Sequence, residues 1–303
     1  MKFTISIPTL NSRELLARCL GSIRRQTHKD VEIIVADGGS TDDTLAIARF
    51  FGCKIRYNDK VMTDYGTKLA LDNATGDLFM VFAADNELVD TDFLARVDGW
   101  FSNMTNLSCL WGKLKASPDD PPIMRYYELI KSEPMAWFMN RNLDWYLLTS
   151  CIFNVLPDKL LCWGANGIVY RTKDIKDLWK SGYVSDNELF QLMVESGKTE
   201  VCYLKNLYIY HHTVKSIRHW ISKWVRNYLY IYLPTCHERN IGWLQQGNFR
   251  CKLIQWLAYS LTPVAFLHSL WLALINWNIY WLYHAPLCFL QTVAYGVLWL
   301  RKR

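Results

Sequence analysis

The sequence predicts an α/β fold in which helices cover both faces of a mostly parallel sheet. Short runs of apolar, often β-branched residues alternate with amphipathic stretches of helical period through residues 1–100. This alternation is typical of parallel sheets, because each helix carries the chain back over one face before the next strand begins. The candidate strands are residues 3–7, 31–36, 54–57 and 78–84, and the candidate helices begin near Ser12 or cover 41–51 and 67–73.

Polar and turn-forming residues follow three of these strands at the point where each strand ends. Pro8, Thr9 and Asn11 follow the strand at 3–7, the segment 37–39 (Asp-Gly-Gly) follows the strand at 31–36, and Asp85 follows the strand at 78–84. The carboxyl ends of parallel strands share one edge of a sheet, and open α/β sheets bind nucleotides at that edge. The sequence therefore predicts one ligand pocket built from three strand ends.

A long uncharged segment near the C-terminus predicts attachment to a membrane. Residues 253–300 contain no Asp, Glu, Lys or Arg. Two helices of about 24 residues each would reach ~36 Å, which exceeds a hydrocarbon core of about 30 Å. The polar residues 276–278 mark the expected turn of a helical hairpin. Because Pro263 and Pro286 interrupt the two halves, a re-entrant hairpin and a helical pair buried in a soluble core stay as alternatives.

The charges around this segment predict the side of the membrane on which the rest of the chain lies. Lys252 and the tail 301–303 (Arg-Lys-Arg) flank the hairpin, which places both ends and the remaining domain on the cytosolic side of the cytoplasmic (inner) membrane. The first strand begins within three residues of Met1, so we expect no N-terminal signal peptide. The nine cysteines show no CxxC pair or regular spacing, which predicts reduced thiols.

An amphipathic, basic stretch before the hairpin is a second feature directed at a membrane. Apolar residues recur at helical spacing from Ile217 to Leu229 and include Trp220 and Trp224, while four cations lie largely off that stripe. Such a helix is typical of binding to a membrane surface, with packing onto the catalytic domain as the alternative. The net charge of +6 favours anionic headgroups over nucleic acid, for which no motif is present. The expected domains are 1–214, a juxtamembrane segment at 215–252 and the hairpin with its basic tail at 253–303.

Several short motifs follow one another between residues 3 and 215. They are SIPTLN at 6–11, VADGGSTDDT at 35–44, ATGD at 74–77, ADNE at 84–87, GANG at 164–167, SDNEL at 185–189 and YIYHH at 208–212. In this order they resemble the motifs of family 2 glycosyltransferases with the GT-A fold. The resemblance implies a nucleotide-diphosphate sugar as donor, with a UDP-sugar favoured and a GDP-sugar as the alternative, and transfer with inversion at the anomeric carbon.

The same resemblance assigns donor binding to residues near the strand ends. Asp37 would accept hydrogen bonds from the base or ribose, and its alternative role is that of an ordinary turn or helix-capping residue. Lys68 would contact phosphate, or else be a solvated surface lysine. The full set of donor-binding candidates is Pro8, Thr9, Asn11, Asp37, Gly39, Lys68, Asp85 and Asn86.

A divalent cation, Mg²⁺ or Mn²⁺, is the cofactor that the resemblance implies. A diphosphate leaving group gains negative charge as it departs, and a hard cation held by carboxylates and phosphate oxygens neutralises this charge. Asp85 is the remaining acid of an element that resembles Asp-x-Asp, because Ala83 replaces the first acid. His211 matches the late histidine of the family and is the second candidate metal ligand, with His212 as the neighbour that could serve instead.

Asp186 is the candidate general base. An inverting transfer to a hydroxyl requires a carboxylate opposite the leaving group to accept the proton of the acceptor. Asp186 matches the Asp of the family's Glu-Asp pair. Ser185 stands here in the place of the Glu. Glu188 is the competing base, and the alternative role of Asp186 is to cap the helix that follows it.

These features together predict a membrane-associated, inverting glycosyltransferase that acts on a lipid-linked, polyprenyl-type glycan at the cytosolic leaflet. One alternative is an enzyme that loads a single sugar onto a polyprenyl phosphate. That acceptor is already anionic and requires no base. A second alternative is a non-catalytic membrane scaffold with a decayed donor site, which the residues Ala83 and Ser185 would suit.

Overall fold

The computed structural model describes residues 1–130, 133–139, 151–158, 160, 166–180, 182–235 and 249–301. These residues form two compact units, one from those among 1–115, 151–160 and 166–211 and one from those among 116–139 and 212–301. The break after His211 lies close to the boundary expected at residue 214. However, the described part of 116–139, which the sequence assigned to the first domain, belongs to the second unit.

The helices are numbered in chain order over both units. They are α1 (Arg13–Arg24), α2 (Thr44–Phe50), α3 (Thr63–Asp72), α4 (Phe93–Asn103), α5 (Pro122–Ile130), α6 (Pro134–Met139), α7 (Thr172–Ile175), α8 (Asp186–Glu195), α9 (Ile217–Asn227), α10 (Leu233–Thr235), α11 (Phe249–Ser260), α12 (Val264–Ile275) and α13 (His284–Arg301). A π-helical segment, Tyr228–Tyr232, follows α9, and a 3₁₀ segment, Ile279–Tyr283, precedes α13.

A nine-stranded sheet forms the centre of the first unit. Its strands are β1 (Phe3–Thr9), β2 (Val31–Asp37), β3 (Lys54–Tyr57), β4 (Leu78–Val81), β5 (Asn86–Leu88), β6 (Cys109–Lys115), β7 (Ile152–Asn154), β8 (Val169–Arg171) and β9 (Glu200–His211). They are hydrogen-bonded in the order β3-β2-β1-β4-β8-β6-β9-β5, with β7 paired to β9.

The expectation of a mostly parallel sheet is correct only for the first four strands. β2 and β4 both run parallel to β1, and β3 runs parallel to β2. In the other half, β8 is antiparallel to β4 and β6, while β9 is parallel to β6 and antiparallel to β5 and β7. The chain moves outward from β1 to β3 and then returns to place β4 on the other side of β1. This reversal creates the crevice in which open α/β sheets bind ligands.

Local hydrogen bonds explain why α2 is shorter than the sequence predicts. The helix was expected over 41–51 but begins at Thr44. Asp42 Oδ1 accepts hydrogen bonds from both the backbone nitrogen and the hydroxyl of Thr44. Asp side chains that bond the backbone two residues on favour a turn over a helix, so the turn persists up to Thr44.

Buried apolar residues of β1 and β4 form the centre of the core, together with one face of α1 and of α4. Phe3, Ile5 and Ile7 are fully buried, and so are Leu78 and Met80. Strands covered on both faces are expected to be apolar at nearly every position. The helix residues in this cluster are Leu16, Cys19, Leu20, Ile23, Phe93, Leu94, Val97 and Phe101.

A buried carboxylate, Glu32, ties three strands together at the amino end of the parallel half. Its oxygens accept hydrogen bonds from the hydroxyl of Thr4 (2.5 Å), from Lys54 Nζ (2.8 Å) and from the backbone nitrogen and hydroxyl of Thr75 (2.7 and 2.8 Å). Burial alone would raise the pKa of Glu32, but these hydrogen bonds outweigh it and lower the pKa to about 2. The ionised carboxylate is therefore part of the folded structure.

The apolar stripe of α9 packs within the second unit. Trp220 is buried, and its indole nitrogen donates a hydrogen bond to Tyr127 Oη at 2.6 Å. Trp224 donates to the same oxygen at 2.9 Å. Ile221 packs in the same cluster. For the middle of the stripe, this packing favours the alternative interpretation, in which the apolar face contacts protein. Ile217 and Leu229 at its two ends are exposed.

The uncharged segment differs from the expected pair of long helices. α12 ends at Ile275, next to the predicted turn, but the first half is itself broken between Ser260 and Val264. The two pieces, Arg250–Ser260 and Val264–Ile275, meet at 78°. Within the described chain no single helix is long and apolar enough to cross a membrane, whereas this bent pair meets the criteria of length and composition when its two parts are taken together. Pro263 lies in the break, where it ends the preceding helix.

A line of polar side chains crosses the interior of the second unit. Tyr126 Oη lies 2.7 Å from Nδ1 of His284, whose Nε2 lies 2.9 Å from Tyr259 Oη. Tyr259 Oη in turn lies 2.7 Å from Nδ1 of His268. Each contact is within hydrogen-bond distance, so these polar groups are satisfied inside an apolar cluster.

Many apolar side chains of α11 to α13 face outward. Leu267 and Leu274 are 62% and 72% exposed, and Trp277 in the turn is 96% exposed. The other large apolar residues exposed here are Ile254, Leu257, Leu261, Val264, Phe266, Leu270, Trp271, Ile275, Ile279, Leu282, Phe289, Val293, Val297, Trp299 and Leu300. An exposed apolar surface of this extent marks contact with a membrane or another protein.

Candidate functional site

The ends of β1 and β2 and the loops after them are joined into one surface. Thr9 pairs with Asp37 in the register of the two strands, and its carbonyl oxygen accepts a hydrogen bond from the backbone nitrogen of Gly38 at 2.9 Å. The backbone nitrogen of Asn11 donates to Ser40 Oγ at 2.8 Å. Asn11 has φ 47°, a left-handed conformation that Asn tolerates better than most residues.

Asp37 organises the loop after β2 and is 3% exposed. Its Oδ2 accepts hydrogen bonds from the backbone nitrogens of Gly39 and Ser40 at 2.9 Å, and its Oδ1 accepts one from Ser40 Oγ at 2.5 Å. Gly39 has φ 95°, which only glycine adopts at low cost. Asp37 therefore acts as a turn-stabilising residue, the alternative role that the sequence suggested for it. An ionised carboxylate has about four acceptor positions, so three hydrogen bonds leave one for a ligand.

Asp85 lies in a turn and not at the end of a long strand. β4 ends at Val81, earlier than the expected residue 84, and β5 begins at Asn86. The backbone nitrogen of Asn86 closes the turn by donating to the carbonyl oxygen of Ala83 at 3.1 Å. The chain turns here because β5 pairs with β9 and not with the parallel strands.

This pairing brings His211 beside Asp85. Asn86 lies opposite His211 in the register of β5 and β9, and Nε2 of His211 is 3.5 Å from Oδ2 of Asp85. The two side chains are 16% and 22% exposed. Nδ2 of Asn166 lies 3.3 Å from the same His211 nitrogen. Three motifs that are distant in the sequence therefore meet at one point.

Asn166 is a site residue to which the sequence analysis gave no role. The signal for it was its place in the motif at 164–167, and Gly164 and Ala165 of that motif lie outside the described residues. Gly167, the last residue of the motif, has φ 82°, and its backbone nitrogen donates to the carbonyl oxygen of Val81 at 2.7 Å. Gly167 thus ties the residues next to Asn166 to the end of β4.

The Asp85–His211 pair fits a divalent cation for which the protein supplies only part of the coordination. Ligands at about 2.1 Å in adjacent octahedral positions stand roughly 3 Å apart, close to the observed separation. Carboxylate and imidazole together suit Mn²⁺ better than Mg²⁺. Within the described residues no three His, Cys, Asp or Glu side chains are arranged to hold a metal ion.

Phosphate oxygens and water would complete the coordination. The buried amide of Asn86, which has no hydrogen-bond partner among the described residues, adds polar atoms beside the pair.

Asp186 is the first residue of α8, and Ser185 is the N-cap. The backbone nitrogen and hydroxyl of Ser185 both donate to Glu188 Oε2, at 2.9 and 2.6 Å, in a capping box. The capping role considered for Asp186 therefore belongs to Ser185, and Glu188 is buried and committed to the cap. Asp186 Oδ1 accepts hydrogen bonds from the backbone and side-chain nitrogens of Asn187 at 2.7 and 3.1 Å.

The loop before Asp186 is fastened to α3 by a contact that sequence reasoning missed. Tyr183 Oη donates a hydrogen bond to Asp64 Oδ2 at 2.5 Å, and its ring packs edge-on against Tyr65 with centroids 5.8 Å apart. Asp186 also lies near β8. Burial raises the pKa of the Tyr170 phenol, and the nearby Cys109 and Asp186 raise it further.

The remaining candidates occupy less central positions. Pro8 lies under α3, where a Cβ on Gly66 would approach the Pro8 Cβ to 3.0 Å, so helix and strand are in close contact. Lys68 forms an ion pair with Asp72 on its own helix and is 21% exposed, so it is neither a fully solvated lysine nor in contact with the Asp85–His211 pair in the contacts described. His212 belongs to the second unit, where its Nδ1 lies 2.7 Å from Asp120 Oδ1.

The fold and the site define an α/β protein with a ligand crevice at the carboxyl ends of its parallel strands, where a carboxylate and an imidazole converge. The family model described as "Glycosyl transferase family 2" matches residues 4–151, just under half of the chain, so this part is similar to family 2 glycosyltransferases, and the sheet with its flanking helices matches the GT-A fold.

Curated relatives match over parts of their length. The "PGL/p-HBAD biosynthesis glycosyltransferase" of Mycobacterium bovis is 43% identical over 103 residues, which cover 31% of this chain and 40% of the relative. The "Dolichyl N-acetyl-alpha-D-glucosaminyl phosphate 3-beta-D-2,3-diacetamido-2,3-dideoxy-beta-D-glucuronosyltransferase" of Methanococcus voltae is 33% identical over 100 residues, 30% of this chain and 31% of that one. The chain therefore matches less than half of each relative.

One solved structure covers nearly the whole chain. It is the mannosyltransferase PcManGT from Pyrobaculum calidifontis in complex with GDP-Man and Mn²⁺, with a TM-score of 0.57, 15% identity, and coverage of 96% of this chain and 86% of that one. At this identity the likeness supports the fold.

Proposed function

We propose that the protein is an inverting glycosyltransferase that moves a sugar from a nucleotide-diphosphate donor to a lipid-linked, polyprenyl-type glycan at the cytosolic leaflet of the cytoplasmic membrane. The observation that carries the proposal is the Asp85–His211 pair, 3.5 Å apart beside the parallel strand ends. The GDP-Man and Mn²⁺ bound by PcManGT support a nucleotide sugar and a divalent cation as ligands.

The residues at the strand ends divide the work of donor binding. Asp85 and His211 would hold the divalent cation, which when bound neutralises the charge that develops on the diphosphate leaving group. The backbone surface formed by Thr9, Asn11 and the 37–39 loop would bind the nucleoside portion. Its rigid cross-links orient these groups before the donor arrives, which lowers the entropic cost of binding.

Asp186 would accept the proton of the acceptor hydroxyl. It is the first residue of α8, and because Ser185 and Glu188 form the capping box, the cap does not require the Asp186 carboxylate. The contact between Tyr183 and Asp64 holds the preceding loop in place. The alternative, transfer to a polyprenyl phosphate, is favoured by one observation: Asn187 already donates two hydrogen bonds to Asp186 Oδ1, which makes that oxygen a weaker base.

The lipid-borne acceptor and the membrane are proposed from the outward-facing apolar residues of α11 to α13. The break between α11 and α12 suits a re-entrant hairpin as well as a broken span. The dolichyl phosphate in the name of the Methanococcus voltae relative supports a lipid-linked substrate.

A binding and turnover screen tests the proposal. The full-length protein in detergent would be titrated with UDP- and GDP-sugars in Mn²⁺, in Mg²⁺ and in excess EDTA, and slow hydrolysis of the donor would be followed. We expect one nucleotide sugar to bind and to be hydrolysed only with a divalent cation. Metal-independent turnover would contradict the metal role, and absence of any nucleotide binding would favour the non-catalytic scaffold.

A further inference from the structure

Helix α13 presents an apolar stripe outward and packs its opposite side against protein. Phe289, Val293 and Val297 recur every four residues and are 49%, 41% and 41% exposed. Leu287 and Gln291, on the other side of the helix, are buried. Because residues four apart share one face of a helix, α13 is open to its surroundings mainly along this stripe.

The buried side of α13 binds polar groups of a segment that carries an ionisable residue. Gln291 Nε2 donates a hydrogen bond to Glu133 Oε2 at 2.7 Å, and Tyr295 Oη donates to the same oxygen at 3.3 Å. Gln291 Oε1 accepts one from the backbone nitrogen of Met135 on α6 at 3.1 Å. Gln291 lies near the middle of α13, so a crossing α13 would carry Glu133 towards the centre of the bilayer. Ionisable groups are costly at that depth.

The helices around α13 are too short to cross a bilayer beside it. α9, which carries three cations, packs against α13, and its Trp220 shares an apolar cluster with Leu287. α5, α6 and α9 have 9, 6 and 11 residues. At about 1.5 Å per residue, α9 reaches only ~17 Å of a hydrocarbon core of about 30 Å. These helices therefore cannot accompany α13 across a bilayer.

The bend between α11 and α12 is maintained by polar contacts. Tyr259 Oη on α11 lies 2.7 Å from His268 Nδ1 on α12 and 2.9 Å from His284 Nε2 on α13. In one continuous helix, Tyr259 and His268 would be nine positions apart, or ~13.5 Å along the axis, and could not meet. Straightening the pair into a single span would therefore separate polar groups inside an apolar cluster, which is costly.

The dimensions and charges of the bent pair suit one leaflet. α12 has 12 residues, which gives a length of ~18 Å, close to half of a hydrocarbon core of about 30 Å. Its outward side chains include Trp271 and Leu274, which are 55% and 72% exposed. Arg250 and Lys252 lie at the start of α11, and Arg301 ends α13. Cations at both ends of an uncharged segment favour anionic headgroups on one side of the membrane.

We propose that α11 to α13 insert into the cytosolic leaflet and return to the same side, and that Tyr259 fixes the bend that prevents a crossing. The inference rests on the proposed function, because it specifies how the proposed membrane contact is made. In this arrangement α11 lies along the interface, α12 enters the leaflet, and the turn at Trp277 does not reach the far side. A crossing hairpin would expose Trp277 there.

The test uses the full-length protein with Trp277→Cys, since Trp277 is 96% exposed. Sealed spheroplasts of a bacterial host that expresses this variant would be treated with a membrane-impermeant maleimide, and mass spectrometry would locate the label. We expect residue 277 to be labelled only after detergent is added. Cys251, an exposed native cysteine on α11, should behave in the same way. A cytosolic marker enzyme would verify that the spheroplasts are sealed.

A second variant tests Tyr259. Tyr259→Phe, combined with Trp277→Cys, removes only the hydroxyl that joins the three helices. The loss of such a hydrogen bond shifts an equilibrium by about 2- to 10-fold, so the small fraction of residue 277 labelled from outside should rise to this extent. Tyr280→Phe leaves the Tyr259 contacts intact and is the matched control. An unchanged fraction in Tyr259→Phe would overturn the role of Tyr259.

The remaining outcomes separate this inference from the proposed function. Extensive labelling of residue 277 or of Cys251 in sealed spheroplasts would overturn insertion into one leaflet, while a membrane-bound glycosyltransferase would still be the proposal. Flotation of the wild-type protein with vesicles of anionic and zwitterionic phospholipid is the parallel measurement. A protein that does not float would overturn both this inference and the proposed membrane contact, and would favour a protein partner for the exposed face.

Discussion

His211 Nε2 lies 3.5 Å from Asp85 Oδ2 because the short strand β5 turns away from the parallel strands and pairs with the end of β9. The pairing register sets Asn86 opposite His211, so Asp85 is the neighbouring residue in the turn. Arg18 on α1 strengthens this arrangement, since its Nε donates to Glu87 Oε1 at 2.6 Å. Replacement of either partner of the pair should therefore affect ligand binding more than folding.

We expect Asp85→Ala and His211→Ala each to abolish Mn²⁺-dependent binding of nucleotide and all transfer. Each change would remove one of the two protein ligands proposed for the cation, which would leave a single protein contact to hold it beside phosphate oxygens and water. Calorimetry with and without Mn²⁺ measures the effect, and thermal unfolding reports on the fold. Asp30→Ala, which changes an exposed acid just before β2, at the end of the strand opposite Asp37, is the control. Retained metal-dependent binding in Asp85→Ala would refute the assignment.

Asp186→Asn should reduce turnover by about 10² to 10⁴, the usual loss on removal of a general base, with unchanged donor affinity. The amide keeps the size of the side chain but cannot accept the proton. Single-turnover kinetics and donor titration would separate the two effects. Glu195→Gln, at the other end of α8, is the control. If Asp186→Asn turned over at nearly the normal rate, transfer to a lipid phosphate would be the better proposal.

Tyr183→Phe is expected to lower turnover on the order of ten- to hundredfold without changing donor affinity. The variant removes the hydrogen bond to Asp64, which loosens the loop that positions Asp186, and small displacements of catalytic groups are costly. Asp64→Asn should have a similar effect, and the double variant should be no worse than the stronger single one, as for residues that act through one contact. Tyr65→Phe serves as the control. Additive losses would show that the two residues act separately.

Glu32→Gln should destabilise the protein at pH 7 by about 3 kcal/mol, because the hydrogen bonds of the folded state hold the pKa of this carboxyl well below its usual value. The pKa of Glu32 is about 2 in the folded state, against 4.5 normally. This stabilisation is therefore fully present above pH 4.5 and disappears as the pH falls towards 2. Urea unfolding at pH 7 and at pH 3 measures the difference between wild type and variant. The difference should shrink at pH 3, and a constant difference would contradict the role of the charge.

The double substitution Leu267→Lys with Leu274→Lys should weaken association with membranes. Both side chains face outward on α12, and a lysine in the hydrocarbon core costs roughly 2.5 to 3.5 kcal/mol. Vesicle flotation at low and high salt measures the association of the full-length protein. Phe50→Lys, an equally exposed change in the first unit, should leave it unaltered. Unchanged flotation of the double variant would mean that this face does not contact lipid.

The sequence by itself determined the strands and helices whose residues follow a short-range hydrophobic pattern. Alternating strands and helices predict the parallel set β1 to β4, and the motif after β2 predicts that Asp37 lies at the end of that strand. Asp85 lies instead in the turn between β4 and β5. The resemblance to family 2 glycosyltransferases and the GT-A fold, which the order of the motifs implied, is supported by the family model over residues 4–151 and by the fold. These predictions succeed because strand periodicity and turn residues act over a few neighbouring positions.

Only the tertiary structure decided which distant residues meet. The pairing of β5 with β9 selects His211 as the neighbour of Asp85, whereas His212 lies near Asp120 in the other unit. The contacts of Tyr183 with Asp64 and of Asn166 with His211 depend on segments that no short-range pattern connects. The stripe of α9 shows the same limit: its periodicity predicts an apolar face, but whether Trp220 contacts lipid or Tyr127 depends on what packs against the helix.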